Sequence, residues 1–253
     1  MSADGGCVRT VLLFLLIAMC CSACSLSEAN RKKAAYHFQM GESYLREQNI
    51  TSALVEFTEA EKYIPDDPEL LNFLGLVYFR KGKYEIAEQK YLKAIELKPT
   101  FSEARNYLAV NYMEMQRWDD AVLQLKAVTD DLFYQGQDSA GINLGLAYLG
   151  KGDTEKALQV MKGSVAAYPR NPQARVTLGR VYFALNKLDL AIEEFRRAVE
   201  LAREYVNAHY YLGLTLMKAK ENSAAINEFK EVVRLAPDNE LGRQAREYLD
   251  LLR

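Results

Sequence analysis

The chain has 253 residues, 49% of them hydrophobic and 26% charged, the composition of a folded globular protein rather than a disordered one. Lys and Arg number 32 against 34 for Asp and Glu, which excludes the basic field that binding to a phosphate backbone requires. Nucleic acid is not expected as a partner.

The first element stands outside the fold. Arg9 precedes the apolar run from Thr10 to Met19, which is too short to cross a bilayer comfortably and suits the core of a signal peptide. It leads into Cys21-Ser22-Ala23-Cys24, small residues before a cysteine, which resembles the lipobox of bacterial lipoproteins. Cys21 departs from that pattern, since the family usually has Leu there, and Asp4 offsets Arg9 in the segment before the apolar run. The resemblance implies a signal peptide over residues 1–23, with Cys24 diacylated as the new N-terminus. The cysteines of the chain, Cys7, Cys20, Cys21 and Cys24, all lie at or before that point, so none is left for a structural disulfide. Two acyl chains hold a protein stably on a membrane where one does not. By resemblance to lipoprotein sorting, Ser25 after the cysteine points to the periplasmic face of the outer membrane. Residues 24–33 are then the lipidated cysteine and a short polar tether. An uncleaved membrane anchor built on the same apolar run is the competing reading.

From residue 34 the sequence repeats itself. Gly41, Gly75, Ala109, Gly145, Gly179 and Gly213 recur at separations of 34, 34, 36, 34 and 34. Ala53, Ala87, Ala121, Ala157, Ala191 and Ala225 keep the same separations, each twelve residues behind its partner. The shared register divides the chain into six units, 34–67, 68–101, 102–137, 138–171, 172–205 and 206–239. Within a unit, Ala53, Phe57 and Ala60, or Ala87, Tyr91 and Ala94, are spaced i, i+4, i+7 and share one helical face. Each unit thus reads as two amphipathic helices with a small residue where they cross. Pro65, Pro99, Pro169 and Pro237 stop the second helices, and Asp67-Pro68 and Asn171-Pro172 read as N-cap and first residue of the next. Residues 240–253 form a capping helix, with Leu241, Ala245, Tyr248 and Leu252 inward.

With Met40, Leu74, Leu108, Leu144, Leu178 and Leu212 before the first small residue, and Tyr44, Tyr78, Tyr112, Tyr148 and Tyr182 three after it, the units resemble the tetratricopeptide repeat. The departures are local: Val128, Ser164 and Val232 for the late alanine, Leu216 for the tyrosine, and Phe133 and Arg203 where a proline is common. The resemblance implies an all-α, right-handed superhelical solenoid of six helix pairs with a C-terminal cap helix, its concave side lined by first helices. The partner-binding positions it implies are Phe38, Leu45, Asn72, Leu76, Phe79, Asn106, Val110, Met113 and Ile142. It continues them with Leu146, Leu149, Val176, Arg180, Phe183, Tyr210, Leu214 and Met217. Mostly apolar, they suit an apolar helix or extended segment rather than an acidic tail, with several expected to pack between repeats.

The string from Gly145 to Gly152, with Gly150-Lys151, is one residue short of a phosphate-binding loop, but Gly152 replaces the hydroxyl residue and the string runs from helix into turn. His37 and His209 occupy equivalent places in the first and last units, where packing explains them. No Cys/His cluster has metal spacing and no nucleophile has a base nearby, so neither metal, cofactor, small-molecule substrate nor catalysis is expected. Glu59, Glu61, Glu193 and Glu194 are expected on solvated helix faces, and Trp118 in packing.

Two extra residues fall in the stretch from Val128 to Ser139. A lipoprotein of six such units, with Leu132-Phe133-Tyr134 leading into Asn143-Leu144-Gly145, resembles the type IV pilus pilotin family. That resemblance implies a non-catalytic protein that binds the pilus secretin in the periplasm and promotes its localisation and multimer assembly. The alternatives are a lipoprotein adaptor for a periplasmic protease, a cell-wall enzyme or polysaccharide export, and a glycan-modifying enzyme for which the repeats leave no domain.

Overall fold

Residues 28–252, the part of the chain that the computed structural model describes, form thirteen helices joined by short turns, with no strand among the described residues. Helix α1 covers 28–46, followed by α2 (Ile50–Glu61), α3 (Pro68–Arg80), α4 (Tyr84–Leu97), α5 (Ser102–Glu114) and α6 (Trp118–Thr129). Then come α7 (Gln137–Lys151), α8 (Thr154–Ala167), α9 (Pro172–Ala184), α10 (Leu188–Leu201), α11 (Val206–Lys218), α12 (Asn222–Leu235) and α13 (Glu240–Leu251). Residues 28–33, assigned by sequence to the tether, already belong to α1. The signal segment, Cys24 and residues 25–27 lie outside the described residues.

Two compact units divide the chain, one up to Ala104 and one from Arg105, with the boundary inside α5. In the first, α3 packs on α2 and α4. In the second, successive helices from α6 to α13 pack in order, and α7, α9, α11 and α13 also touch one another in sequence. Odd-numbered helices therefore make one layer there, with α8, α10 and α12 behind it, which is the layering of a helix-pair solenoid.

The crossing inside each pair follows from residue size. Phe57, Tyr91, Phe195 and Phe229 are fully buried on the second helices. Their rings lie directly on Gly41, Gly75, Gly179 and Gly213. Burying each of these rings contributes about 1.5–3 kcal/mol, available only because no side chain occupies the facing position. In the fourth repeat the same place is taken by the Met161 thioether against Gly145.

The turn between paired helices is the same six times. Residues 48, 82, 116, 152, 186 and 220 each have positive φ: Gln48 at 59°, Gly82 at 68°, Gln116 at 57°, Gly152 at 85°, Asn186 at 58° and Lys220 at 64°. In each case the next residue's N–H reaches the carbonyl five residues earlier, as in Asn49 to Tyr44 (2.8 Å) and Lys187 to Tyr182 (2.9 Å). The positive-φ residue bonds three back, as in Gly152 to Leu149 (3.1 Å). This pair of bonds is the Schellman motif, which satisfies the last carbonyls of the first helix and reverses the chain. Entry into helices is capped by Asn49, Asp67, Asp153, Asn171 and Asn239, whose side chains accept from backbone N–H groups of the first turn.

Candidate partner-binding face

The first helices carry the expected binding positions, and the structure divides these into two sets. Asn72, Asn106, Ile142, Val176 and Tyr210 are buried, so their side chains belong to the packing between helices and are not available to a partner. The Asn106 side-chain oxygen accepts from Asn143 Nδ2 at 3.1 Å, and the Tyr210 hydroxyl donates to Gln244 Oε1 at 2.6 Å. Burial pushes the Tyr210 phenol up to about 12. Sequence spacing alone cannot separate these five from the rest, because they lie four residues, about one turn, before a position that is accessible.

The remaining positions are partly exposed: Phe38, Leu45, Leu76 and Phe79 in the first unit, then Val110, Met113, Leu146, Leu149, Arg180, Phe183, Leu214 and Met217 in the second. Leu45, Phe79, Met113, Leu149, Phe183 and Met217 supply the carbonyls that accept from the positive-φ turn residues. Their Cα positions are thereby held by backbone hydrogen bonds. Phe38 packs edge-on to Phe57 and Phe73, at 5.7 and 5.2 Å between ring centres, and Phe79 leans on Tyr84 at 5.7 Å. The face of the second unit is less apolar than its residue types imply. The Lys218 ammonium sits 4.5 Å from the Phe183 ring centre, and the Arg180 guanidinium 5.0 Å from that of Tyr211.

A second constellation was not legible in the motifs. Residues 19 apart join the two helices of four repeats: His37 Nδ1 with Glu56 at 2.7 Å, Arg105 with Gln124 at 2.8 Å, Arg175 with Glu194 at 2.8 Å, and His209 Nδ1 with Glu228 at 2.7 Å. Two of them also reach back to the preceding turn. Arg175 donates from Nε and Nη2 to the Pro169 carbonyl (3.0 and 2.8 Å), and His209 Nε2 lies 2.9 Å from the Arg203 carbonyl. Glu194 is therefore buried, at 9% exposure, and not on a solvated face as its neighbour Glu193 is. His209 has an acceptor within reach of each ring nitrogen, an arrangement that the protonated imidazole satisfies at both. Its pKa is raised, chiefly by the hydrogen bond to Glu228 against the desolvation that opposes it. These groups bind helices to each other.

The string resembling a phosphate loop serves packing. Gly150 lies against the Trp118 ring and Gly152 is the positive-φ residue of its turn. Among the described residues no three of His, Cys, Asp and Glu converge so as to hold a metal ion, and no helix is long and apolar enough to cross a membrane.

Models of the TPR repeat match residues 75–116 and 179–220, and models of the tetratricopeptide repeat match 107–172 and 206–239, together more than half of the chain. The chain belongs to the tetratricopeptide-repeat family. Proteins of that family are in general non-catalytic scaffolds that bind other proteins. Mouse tetratricopeptide repeat protein 21A is 28% identical over 93 residues, 37% of this chain, and the match spans 7% of that protein's length. Among solved structures, PilF of Pseudomonas aeruginosa superposes with a TM-score of 0.69 at 16% identity, over 87% of this chain and 99% of that one. PilW, described as a widely conserved type IV pilus biogenesis factor, does so with 0.75 at 18% identity, over 84% and 98%. A tetratricopeptide repeat protein of Parabacteroides merdae gives 0.73 at 18% identity, over 90% of each chain. At these identities the likeness carries the fold.

Proposed function

We propose that this tetratricopeptide-repeat protein is a pilotin: a lipid-anchored, non-catalytic scaffold on the periplasmic face of the outer membrane. It binds the type IV pilus secretin and promotes its localisation and assembly into a multimer. The observation that carries this reading is a coincidence of extents. A lipobox-like Cys24 stands just before a repeat array that matches PilF and PilW over nearly their whole lengths, and PilW is a pilus biogenesis factor. In the second unit the partly exposed first-helix residues, apolar with a cationic fringe at Arg180 and Lys218, are the surface on which an apolar helix or strand of the secretin would lie.

The test is a pull-down from envelope extract with the acylated protein, run beside Cys24→Ser, with the retained proteins identified by mass spectrometry. Recovery of a secretin supports the pilotin. Recovery of a hydrolase or of export machinery without a secretin replaces it with the adaptor.

A further inference from the structure

The fourth repeat lacks the 19-residue pair that joins the two helices of the first, third, fifth and sixth, and unlike the second it has no large side chain at the first of these positions, where Leu71 is buried. Gly141 stands where the register puts His37, Arg105, Arg175 and His209, and Val160 stands where Glu56, Gln124, Glu194 and Glu228 accept from them. Close by, Gly163 occupies the place of Glu59, Lys93, Arg197 and Glu231. A hollow of about 480 Å³ lies here between α7 and α8, lined by the apolar Leu132, Leu144, Val160 and Ala167 and by the polar Thr129, Gln137 and Ser164, with no charged side chain. None of the seventeen first-helix positions borders it.

The link between α6 and α7, where the two extra residues fall, presents Leu132, which lines the hollow, and the adjacent Phe133, 88% and 94% exposed. Their turn is firmly built. The Phe133 N–H donates to Asp131 Oδ1 and the Tyr134 N–H to the Asp131 carbonyl, both at 3.1 Å. Gln137 Nε2 donates to the carbonyls of Val128 (3.2 Å) and Asp131 (2.5 Å). A formed turn that holds two adjacent large apolar side chains in water beside an uncharged, mainly apolar hollow has the character of an interaction site.

We infer that this corner is a second protein-docking site, in which the hollow takes an uncharged apolar anchor, a leucine or phenylalanine side chain of a partner protein, while Leu132 and Phe133 close over it. Charge selects the occupant. The equivalent corners of the first, fifth and sixth repeats pair a cationic or imidazole group with a carboxylate. Here a charged group would meet no counter-charge in the lining, whereas an apolar anchor needs none. The site is independent of which protein lies on the first-helix face, so it stands or falls apart from the secretin.

The test places the photo-cross-linker benzoylphenylalanine at position 133 of the full chain in its native cell, with the cross-linked peptides sequenced by mass spectrometry. The comparison variant is Gly163→Leu, whose new Cβ meets nothing within 4 Å and whose side chain fills the hollow. Leucine also favours the helix over glycine. The expected result is one cross-linked segment bearing Leu or Phe at the junction, reduced at least tenfold by Gly163→Leu while the melting temperature is unchanged or higher. Three results would overturn the site: cross-links that persist in Gly163→Leu, cross-links to a second copy of this chain or to a charged segment, or a yield no greater than with the same probe at the exposed Leu123.

Discussion

Gly179 and Phe195 approach so closely that a Cβ on residue 179 would lie 2.6 Å from the ring of Phe195. The ring is fully buried and cannot swing away into solvent. Gly179→Val is expected to destabilise the fold by about 1–3 kcal/mol, the usual result of overfilling a packed core. Gly179→Val combined with Phe195→Leu should lose less than the sum of the two single changes, because the smaller side chain yields space. Urea unfolding of the four proteins checks both statements through the coupling in the cycle.

Arg175 and Glu194 form an ion pair whose side chains are only 12% and 11% exposed. Arg175→Ala strands the carboxylate, for which Arg197 at 3.6 Å is a poor substitute, and also releases the Pro169 carbonyl. A loss of about 3–5 kcal/mol is expected. Glu193→Ala, which breaks an exposed pair with Arg197, should cost no more than about 1 kcal/mol in the same denaturation series.

His209 gives the fold a pH dependence. Its folded pKa lies above its ordinary 6.5 because Glu228 accepts from Nδ1, the Arg203 carbonyl accepts from Nε2, and Glu231 adds negative charge. Protonation is thus favoured by folding. The stabilisation is complete below about 6.5 and is lost as pH rises through the raised folded value. The melting temperature should fall between those values in the parent protein, and His209→Gln should remove that part of the fall. An unchanged slope in His209→Gln would show that the imidazole stays neutral.

Gln116 and Lys220 occupy turn positions at φ 57° and 64° that Gly82 and Gly152 fill without strain. The left-handed conformation costs a residue with a Cβ about 1–2 kcal/mol, part of which glycine returns as unfolded-state entropy. Gln116→Gly and Lys220→Gly are each expected to raise stability by a few tenths to about 1 kcal/mol. Equilibrium denaturation of the single and double variants would reveal the gain, and additivity is expected because the turns lie two repeats or more apart in sequence.

On the first-helix face, Leu76→Asp and Leu214→Asp should abolish partner capture while the helical circular dichroism and melting curve stay close to the parent. Ile142→Asp is the contrasting change, since that side chain is 1% exposed and its carboxylate would be buried. It should unfold its repeat. Binding that survives Leu76→Asp and Leu214→Asp would remove this face from consideration.

The helix pairs were legible because two series of small residues in one register can only mean repeated crossings, and Gly41 with Phe57 or Gly213 with Phe229 are those crossings. Capping at Asp67 and Asn171 was equally plain, since each is followed by proline. Accessibility was not. Ile142 and Leu146 are both aliphatic and one turn apart, and only the packing of the helices around α7 decides which of them is covered. The pairing of Arg175 with Glu194 escaped for a related reason: carboxylates on amphipathic helices are usually solvated, and the signal against this was a 19-residue spacing shared by His37, Arg105, Arg175 and His209. The hollow beside Leu132 is the counterpart of that spacing. It could have been read from Gly141 breaking the register.

In the second unit, α7, α9, α11 and α13 touch only their neighbours in the row. Nearly every contact is thus made within the distance of about one repeat along the chain, and loop closure stays short. A polypeptide delivered N-terminus first meets each helix's docking surface already completed by the helices ahead of it. Folding can follow delivery as a moving front, with a single unpaired helix at its edge.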